Sequence, residues 1–404
     1  MRIVIIGAGQ GGVSTADYLR RAGFKGSIQL AGEEADLPYQ RPPLSKQALS
    51  GEKSADNIVI RGIDYYDKHD IDLRLGLRAE RIDRNAKKVA FADGTILPYD
   101  HLVLATGARP RTIGLPGGDL PGILDLRTLS DLRALLPALE ERRRIVVIGG
   151  GFIGLEIAAF ARKRGHAITV IEAEERIMTR VFPAFMSEWF TKLHRGHGVE
   201  ILCNTRISAF DGNGTVETVV CGDQRIPADL VILGIGVTPN QELAEACGLS
   251  CDDGILVDSA CRTSDPHIYA VGDCTRHESV IYGRNVRLES VQNAIAQARV
   301  AAQSILGKDI RYDELPWFWS DQFDVKLQMV GLSLNHDASV VRGDPESGKF
   351  TVLYVRDGAV IAADVVNNPQ EFVQCRKHLA PSRTVDVKRL QDTQMRLGDI
   401  LAGV

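Results

Sequence analysis

The sequence of 404 residues predicts an α/β protein in which two similar strand–turn–helix units are followed by a smaller α+β region. Three observations support this fold class. A short apolar strand runs into a Gly-x-Gly-x-x-Gly turn at two places, strands alternate with helices up to about residue 310, and beyond Pro316 several strands precede a single helix. The first two features are typical of doubly wound parallel sheets.

The first glycine-rich turn follows the apolar segment 2–6 and contains Gly7, Gly9 and Gly12. In this motif the first glycine permits a tight turn, and the second lets the backbone approach a pyrophosphate. The third lets the next helix pack closely on the strand, and the N-terminus of that helix stabilises the phosphate charge. The turn therefore predicts a dinucleotide site.

A second copy of the motif follows the apolar segment 144–148 and contains Gly149, Gly151 and Gly154. One such turn is weak evidence, because glycine-rich turns close many strand–helix units. Two copies, each with its own strand and helix, predict two Rossmann-like domains that bind two dinucleotides in one chain. Such a chain is suited to moving electrons between cofactors.

An acidic residue stands about 20 residues beyond each motif. The segment 27–33 predicts a second strand that ends at Glu33, and the segment 167–172 predicts one that ends at Glu172. A carboxylate there accepts hydrogen bonds from ribose hydroxyls, although a solvated acid at a strand end is the alternative. Because the next basic residue is Arg176, a 2′-phosphate would be repelled, and the second site is expected to prefer NADH to NADPH.

Composition narrows the class of protein. Hydrophobic residues make up 44% of the chain and charged residues 25%, values typical of a globular protein with more than one domain. A net charge of −4 argues against a nucleic-acid partner. No apolar run approaches the roughly 20 residues that span a bilayer, and a strand begins at Arg2, so we expect a cytoplasmic protein without a membrane partner.

The positions of the cysteines argue against a redox cysteine pair and against a cysteine-bound metal ion. The seven cysteines are scattered without a Cys-x-x-Cys pair, and the first of them is Cys203, which suits a reducing compartment. Cys247 and Cys251 are interpreted as small buried residues, and no metal site is predicted. The segment 39–51 contains no cysteine at all.

Two apolar strands that leave one domain for the next, at 99–109 and 230–240, bracket the second glycine motif. We therefore expect a discontinuous first domain over 1–109 and 239–312, a second domain over 110–238 inserted in it, and a C-terminal α+β domain over 313–404. A long helix is expected at 289–306. In the last domain the patterns predict strands at 325–330, 338–343, 350–356 and 359–366, then a helix at 369–379.

Over essentially its whole length the sequence resembles the bacterial FAD-dependent NADH:ferredoxin reductases, of the putidaredoxin reductase and dioxygenase reductase kind. These are two-dinucleotide flavoproteins with a glutathione reductase-like fold. The segments that match are 7–12, 41–46, 105–107, 149–156, 263–273 and 317–322. The resemblance implies FAD in the first site, NADH in the second, and a 2Fe–2S ferredoxin as acceptor. We expect a monomer or a weak homodimer. That ferredoxin would serve a P-450 monooxygenase or a Rieske dioxygenase.

Two residues are predicted to take part in the chemistry. Lys46 follows a rigid Pro-Pro segment, and an ammonium there could stabilise charge that arrives at the flavin N5 with a hydride. In related reductases the acid equivalent to Glu156 faces the nicotinamide amide, so we predict an ion pair between Lys46 and Glu156 across the two dinucleotide domains. The alternatives are a surface lysine and an exposed acid near a helix N-terminus.

The resemblance implies further cofactor contacts. Asp273, which closes the strand 268–272, matches an acid on the ribityl chain, and Val291 begins a helix whose N-terminus would face the flavin C2 carbonyl. Arg127 and Arg41 match candidates for the FAD phosphates. The remaining predicted contacts are Ala79 at the adenine, Trp319 beside the isoalloxazine, and Ile153 and Gly236 in the NAD site. Trp317 is interpreted as packing.

Three functions stay open from the sequence. The first is electron transfer to a ferredoxin, whose acidic surface would meet basic candidates at Arg287, Arg299, Arg311 and Lys326. The second is another cysteine-independent NADH flavoreductase, acting on a quinone, a rubredoxin or an ascorbate radical. The third is a redox-sensing interaction protein like the apoptosis-inducing flavoproteins. Thiol chemistry at the flavin is excluded by the cysteine-free segment 39–51.

Overall fold

The computed structural model describes residues 1–141 and 143–403. Arg142 and Val404, which fall within the predicted second and third domains, lie outside the described residues.

The first 110 residues form strands β1 (Arg2–Ile6), β2 (Ser27–Ala31), β3 (Ile71–Arg74), β4 (Ala79–Asp83), β5 (Lys88–Phe91), β6 (Ile96–Pro98), β7 (His101–Leu104) and β8 (Ala108–Pro110), with helices α1 (Gln10–Arg21), α2 (Gln47–Ser50) and α3 (Ile63–Lys68). The next segment contains β9 (Ile123–Leu124), β10 (Arg144–Ile148), β11 (Ala167–Ile171), β12 (Glu200–Leu202), β13 (Ala209–Asp211), β14 (Thr218–Cys221), β15 (Gln224–Pro227) and β16 (Leu230–Leu233), with α4 (Leu129–Ala138), α5 (Phe152–Lys163) and α6 (Ala184–Gly196).

The third segment contains β17 (Val237–Pro239), β18 (Ile255–Val257), β19 (Ile268–Ala270), β20 (Thr275–Ser279) and β21 (Arg284–Val286), with α7 (Glu242–Ala246) and α8 (Val291–Ile305). The last segment contains β22 (Trp317–Gln322), β23 (Val325–Gly331), β24 (Ala338–Asp344), β25 (Lys349–Arg356) and β26 (Ala359–Val366), with α9 (Pro369–His378) and α10 (Leu397–Ala402).

These elements form two compact units. One comprises Met1–Arg41, Lys53–Arg109 and Val237–Pro316, and the other comprises Pro42–Glu52, Pro110–Gly236 and Trp317–Val404. The short segment 42–52 thus joins the unit that contains the second glycine motif, whereas the sequence analysis assigned it to the first domain. The physical reason is that a 3₁₀ turn at Pro42–Ser45 packs against α5.

The first unit is built on a parallel sheet in the order β19-β7-β1-β2-β3. Its central strand β1 is buried on both faces, because one face packs under α1 and α8 and the other lies over the antiparallel sheet β4-β5-β6 and the α7 region. An almost unbroken apolar strand is what such double burial requires. The first glycine turn therefore leaves the centre of the sheet.

The second unit contains a similar parallel sheet, in the order β12-β11-β10-β16-β9, with β10 at its centre. A separate antiparallel sheet in the order β22-β23-β26-β25-β24 is formed by the C-terminal part of the same unit. The strands and the helix predicted there are confirmed within one or two residues, as is the long helix α8. Apolar runs separated by turn residues made the strands readable from sequence.

Two predicted strands are each broken in two. The segment 230–240 is divided into β16, which ends at Leu233, and β17, which begins at Val237. The segment 99–109 was also expected to be a single strand, but β7 ends at Leu104 and β8 begins at Ala108. Gly107 lies between them with a φ of 65°, a left-handed conformation that interrupts the extended backbone. After this break β8 pairs with β17 instead of continuing the parallel sheet.

Candidate functional site

The first glycine turn has the geometry that a dinucleotide requires. Gly7 has a φ of 105°, and a Cβ at Gly12 would collide with the carbonyl oxygen of Gly7, so close packing of α1 on the turn needs glycine at both positions. A Cβ at Gly9 would meet nothing within 4 Å among the described residues. Gly9 is also the N-cap of the 12-residue helix α1, where no described side chain caps the free N–H groups. The turn fits a pyrophosphate.

The second glycine turn repeats this arrangement. Gly149 has a φ of 99°, and a Cβ at Gly154 would collide with the carbonyl oxygen of Gly149. Gly151 is the N-cap of the 12-residue helix α5, again with no cap from the side chains that the structure describes. Both turns therefore present uncapped helix N-termini, each of which fits a diphosphate.

The two distal acids are placed differently. Glu172 directly follows β11, and its Oε2 accepts a hydrogen bond from the backbone N–H of Gly150 at 2.8 Å. In the other sheet the position that directly follows β2 is Gly32, so Glu33 lies one residue further along. The Glu33 side chain is 69% exposed and lies 3.7 Å from the Arg78 guanidinium. The carboxylate of Glu172 is thus hydrogen-bonded to the second glycine turn, whereas that of Glu33 faces Arg78 and solvent instead of the first glycine turn.

A buried ion pair lies on the second glycine helix. Lys46 Nζ donates to Glu156 Oε2 at 2.6 Å, with 10% and 1% of the two side chains exposed. The predicted pair is therefore present. The segment 42–52 and α5 belong to the same compact unit, although the sequence analysis assigned them to different domains. Pro42 and Pro43 begin the 3₁₀ turn that ends next to Lys46.

The carboxylate of Glu156 has two further partners that sequence reasoning missed. Ser45 Oγ donates to Oε2 at 2.5 Å, and Ser320 Oγ, from β22, donates to Oε1 at 2.6 Å. Both oxygens of the carboxylate are thus hydrogen-bonded, as a nearly buried charge requires. Ser45 precedes Lys46 and could have been inferred from adjacency. Ser320 lies 164 positions from Glu156, and no local signal could have found it.

The hydrogen bonds continue beyond Ser320. Gln322 Nε2 donates to Ser320 Oγ at 3.1 Å, and Gln322 Oε1 lies 2.8 Å from His194 Nε2. Because an amide oxygen can only accept, His194 must carry its proton on Nε2. Burial lowers the pKa of His194 to about 4, although its bond to Gln322 acts in the opposite direction. The ring is therefore neutral at pH 7.

The predicted contacts in the first unit are placed as follows. Asp273 does not close a strand, because β19 ends at Ala270 and Asp273 lies in the turn after Gly272, whose φ is 85°. Val291 begins α8 as predicted, after a Ser290 cap that accepts a hydrogen bond from the Asn293 N–H. The turn and the helix are tied together, since Gln297 Oε1 accepts from the N–H of Gly272 at 2.8 Å.

The other candidates have structural partners of their own. Arg41 Nη2 donates to Glu34 Oε1 at 2.5 Å, and Ala79 opens β4 opposite Phe91. Three of the four basic candidates for an acceptor surface are already in ion pairs, namely Arg287 with Asp253 and Glu289, Arg299 with Glu314, and Lys326 with Asp321.

The remaining candidates lie in the second unit. The N–H of Arg127 donates to Asp131, the acid of a capping box at the start of α4. Ile153 is in the first turn of α5 and is 45% exposed, and Gly236 has a φ of 95°. Trp319 lies in β22, with its ring 5.7 Å from that of Trp317.

The cysteines are dispersed and unpaired in the structure. All seven cysteines are free thiols, and burial raises the pKa of those at Cys203, Cys221, Cys247, Cys251, Cys261, Cys274 and Cys375. Within residues 1–141 and 143–403 no group of three or more His, Cys, Asp or Glu side chains could hold a metal ion. No helix in those ranges is both long and apolar enough to cross a membrane.

Two parallel sheets, each followed by a glycine turn at an uncapped helix N-terminus, are typical of the two-dinucleotide fold class. Comparison with known proteins agrees: residues 1–298 match the pyridine nucleotide-disulphide oxidoreductase family, and residues 317–401 match the reductase C-terminal domain. The chain belongs to the pyridine nucleotide-disulphide oxidoreductase family.

Individual relatives span the whole chain. Rhodocoxin reductase of Rhodococcus erythropolis is 44% identical over 98% of this chain and 93% of its own length. The ferredoxin–NAD(+) reductase component of the anthranilate 1,2-dioxygenase system of Burkholderia cepacia is 44% identical, over 98% of each chain. Among solved structures, the covalent putidaredoxin reductase–putidaredoxin complex matches with a TM-score of 0.96 and 41% identity, over 99% of this chain and 98% of that one.

Proposed function

We propose that this protein is an FAD-dependent NADH:ferredoxin oxidoreductase that reduces a 2Fe–2S ferredoxin serving a P-450 monooxygenase or a Rieske dioxygenase. The observation that supports it most directly is the buried pair of Lys46 and Glu156 on the helix of the second glycine turn. Full-length relatives whose names describe reductases of rhodocoxin and of a dioxygenase system, and a solved complex with putidaredoxin, support the choice of acceptor.

The first glycine turn would hold FAD through Gly7, Gly9 and Gly12, with α1 directed at the pyrophosphate. Asp273 and the N-terminus of α8 are proposed to contact the flavin. The hydrogen bond from Gly272 to Gln297 fixes these two elements with respect to each other, so the carboxylate and the helix end act as one preorganised surface. Bound FAD would accept a hydride from NADH and release its two electrons one at a time.

NADH is proposed to occupy the second turn, with its pyrophosphate at the N-terminus of α5. Glu172 is already oriented there by Gly150, so its carboxylate is ready to accept ribose hydroxyl protons. A 2′-phosphate would meet this charge and those of Glu174 and Glu175 nearby. Repulsion at this point is the physical basis for a preference for NADH.

Lys46 and Glu156 are proposed to act at the site of hydride transfer. The ammonium of Lys46 stabilises negative charge delivered with the hydride, and Glu156 keeps that ammonium in one orientation. Because both side chains are nearly buried, their charges are weakly screened by water. No thiol is present in the segment 39–51 to take electrons onward, so a separate carrier is the acceptor.

The C-terminal sheet offers a surface for that acceptor. Trp319 and Trp317 are in ring contact at 5.7 Å, and the guanidinium of Arg376 lies 4.6 Å from the Trp317 ring. A cation over the Trp317 ring suits an acidic one-electron carrier. A 2Fe–2S cluster takes one electron, so two ferredoxin molecules are reduced and one proton is released for each NADH.

The test is anaerobic stopped-flow reduction of the purified holoprotein by NADH, followed by turnover with a 2Fe–2S ferredoxin, a rubredoxin and a quinone in parallel. We expect rapid bleaching of the flavin absorbance and two ferredoxin molecules reduced per NADH. A flavin that stays oxidised under excess NADH, or faster turnover with the rubredoxin or the quinone than with the ferredoxin, would contradict the proposal.

A further inference from the structure

Glu156 is held by a chain of hydrogen bonds that begins in a different part of the sequence. The chain runs from His194 in α6 through Gln322 and Ser320 in β22 to Glu156 Oε1. His194 and Ser320 are fully buried, and Gln322 is 1% exposed. Each member bonds the next through His194 Nε2, Gln322 and Ser320, whereas His194 Nδ1 is buried without a partner among the described residues. Loss of one of these bonds would leave a buried polar group unpaired, which is costly.

All donors in this chain point toward the carboxylate. His194 Nε2 donates to Gln322 Oε1, and Gln322 Nε2 donates to Ser320 Oγ. A serine hydroxyl has one proton, and since Gln322 fills an acceptor position, that proton is directed to Glu156 Oε1. Successive bonds of the same direction polarise one another and strengthen the last one, to the anion.

The chain complements Lys46 without competing with it. Lys46 and Ser45 share Oε2, whereas Ser320 binds Oε1, so the carboxylate is fixed at both oxygens and cannot rotate freely. His194 is neutral, so Lys46 is the one cation among Glu156, its direct partners and the residues of this hydrogen-bond chain. The packing agrees, because Phe318 lies on the same face of β22 as Ser320 and its ring is 4.9 Å from Phe152 of α5.

We propose that Ser320, held in place by Gln322 and His194, is a positioning residue through which the C-terminal sheet fixes the Glu156 carboxylate against Lys46 for hydride transfer. This inference rests on the proposed function for its kinetic consequence, but the positioning itself is a property of these side chains. A carboxylate that is free to turn loses its alignment with Lys46, and misplacement of about 1 Å can lower the rate of a reaction about 100-fold.

The experiment compares Ser320→Ala, Ser320→Thr and Gln322→Leu in the FAD-loaded protein. The matched control is Ser187→Ala, since Ser187 is fully buried and donates to the carbonyl of Ile177 at 2.5 Å, away from Glu156. Two readouts are used: crystal structures of the variants, and the rate constant of flavin reduction by saturating NADH together with the dissociation constant of NAD⁺.

In Ser320→Ala the Glu156 carboxylate should rotate, its contact with Lys46 should lengthen beyond 2.6 Å, and the rate constant should fall about tenfold or more while NAD⁺ affinity changes less. Ser320→Thr should restore both orientation and rate because it keeps the hydroxyl, and Gln322→Leu should show a smaller loss. Ser187→Ala should match the wild type in both readouts.

An unmoved Glu156 in Ser320→Ala, a rate constant equal to that of the wild type, or an equal loss in Ser187→Ala would each overturn the inference. Failure of the proposed function is distinguishable from these outcomes. In that case the wild type itself would not be reduced by NADH, while the crystal structures would still report whether Ser320 positions the carboxylate.

Discussion

At the scale of single residues, the proposed chemistry depends on one carboxylate, that of Glu156. The sequence alone indicated Lys46 and Glu156, because a lysine after Pro-Pro and an acid on the second glycine helix match a known pattern. It did not indicate that Glu156 would be almost completely buried with three donors on its two oxygens. Burial makes each of these partners matter more, because an uncompensated charge in a dry site is strongly unfavourable.

Replacing Lys46 with Met should slow the reduction of bound flavin by NADH about 100-fold, while FAD stays bound. The reason is that the ammonium that stabilises arriving charge is removed and Glu156 is left without its counter-ion. Single-turnover stopped-flow absorbance measures the rate, and the flavin-to-protein ratio measures retention.

The matched control for this variant is Lys163→Met. Lys163 lies in the same compact unit and donates to the carbonyl of Phe323 at 2.6 Å, and no carboxylate among the described residues pairs with it. It should reduce the flavin at the wild-type rate. Equal rates in Lys46→Met and the wild type would remove Lys46 from the mechanism.

At the scale of elements, the two glycine turns have the same local structure but differ in the position of the acid that follows the next strand. Their strands, helices and positive-φ glycines superimpose in pattern, and local spacing was sufficient to predict them. The distal acids differ by one position after the strand, a detail that depends on where each strand ends. Strand ends are set by pairing with neighbouring strands, so the sequence could not resolve this difference.

Gly154→Ala should abolish tight NADH binding while FAD binding is retained. A Cβ at this position collides with the carbonyl oxygen of Gly149, so α5 must move away from the turn and its N–H groups lose their alignment. Equilibrium titration with NAD⁺ measures the loss. Gly196→Ala is the control, since a Cβ there meets no described atom within 4 Å, and it should bind NAD⁺ normally.

A second element-scale prediction concerns the C-terminal segment after α9. Arg342, in β24, is buried and pairs with Glu371 at 2.6 Å, and it also donates to the carbonyls of Leu390, Asp392 and Met395. Arg342→Met should destabilise the protein by about 3–5 kcal/mol, because the mostly buried Glu371 carboxylate would lose its counter-ion and three carbonyls would lose their hydrogen-bond donor. Faster hydrogen exchange in residues 387–396 and a lower midpoint of unfolding would report it.

The exposed pair of Arg225 and Asp211 provides the comparison, with 58% and 48% of the side chains in solvent. Arg225→Met should change stability by less than about 1 kcal/mol, because water screens such pairs. A similar loss of stability in both variants would show that the contacts of Arg342 with Glu371 and the three carbonyls do not stabilise the protein more than an exposed ion pair does.

At the scale of the whole molecule, distant stretches of chain meet in one unit. This unit contains the segment 42–52, the segment 110–236 with the second glycine turn, and the C-terminal sheet. Glu156 can therefore contact both Ser45 and Ser320. The same unit also buries Asp364 of β26, which accepts a hydrogen bond from the Tyr354 hydroxyl at 2.5 Å. Burial raises the pKa of Asp364 to about 7, although the hydrogen bond from Tyr354 acts in the opposite direction.

This carboxyl should make the stability of the protein fall as the pH rises. The unfolded chain releases the Asp364 proton near its ordinary pKa of 3.8, whereas the folded chain keeps it up to about pH 7. Between these values the folded state binds more protons, so each step up in pH favours unfolding. Asp364→Asn, which has no proton to release, should therefore raise the unfolding midpoint at pH 8.

The gain in Asp364→Asn should grow between pH 4 and pH 7 and level off above, reaching as much as about 4 kcal/mol. Thermal scans across this range measure it, with midpoints compared rather than free energies because two units need not unfold together. Asp324→Asn, at an exposed carboxyl in the turn between β22 and β23, should show no such pH dependence. A gain independent of pH would contradict the burial argument.

The sequence by itself determined the two strand–turn–helix units and the strands and helix of the C-terminal region. Local periodicity and short spacings predict these features because they constrain the backbone directly. The pairing of Lys46 with Glu156 was implied by the resemblance to a known family, since the two residues are 110 positions apart. Only the tertiary structure decided that Ser320, Gln322 and His194 support Glu156, and that the segment 42–52 joins the second unit. The reason is physical: hydrogen bonds between side chains separated by 111 to 164 positions depend on how sheets and helices pack, and that packing leaves no pattern in neighbouring residues.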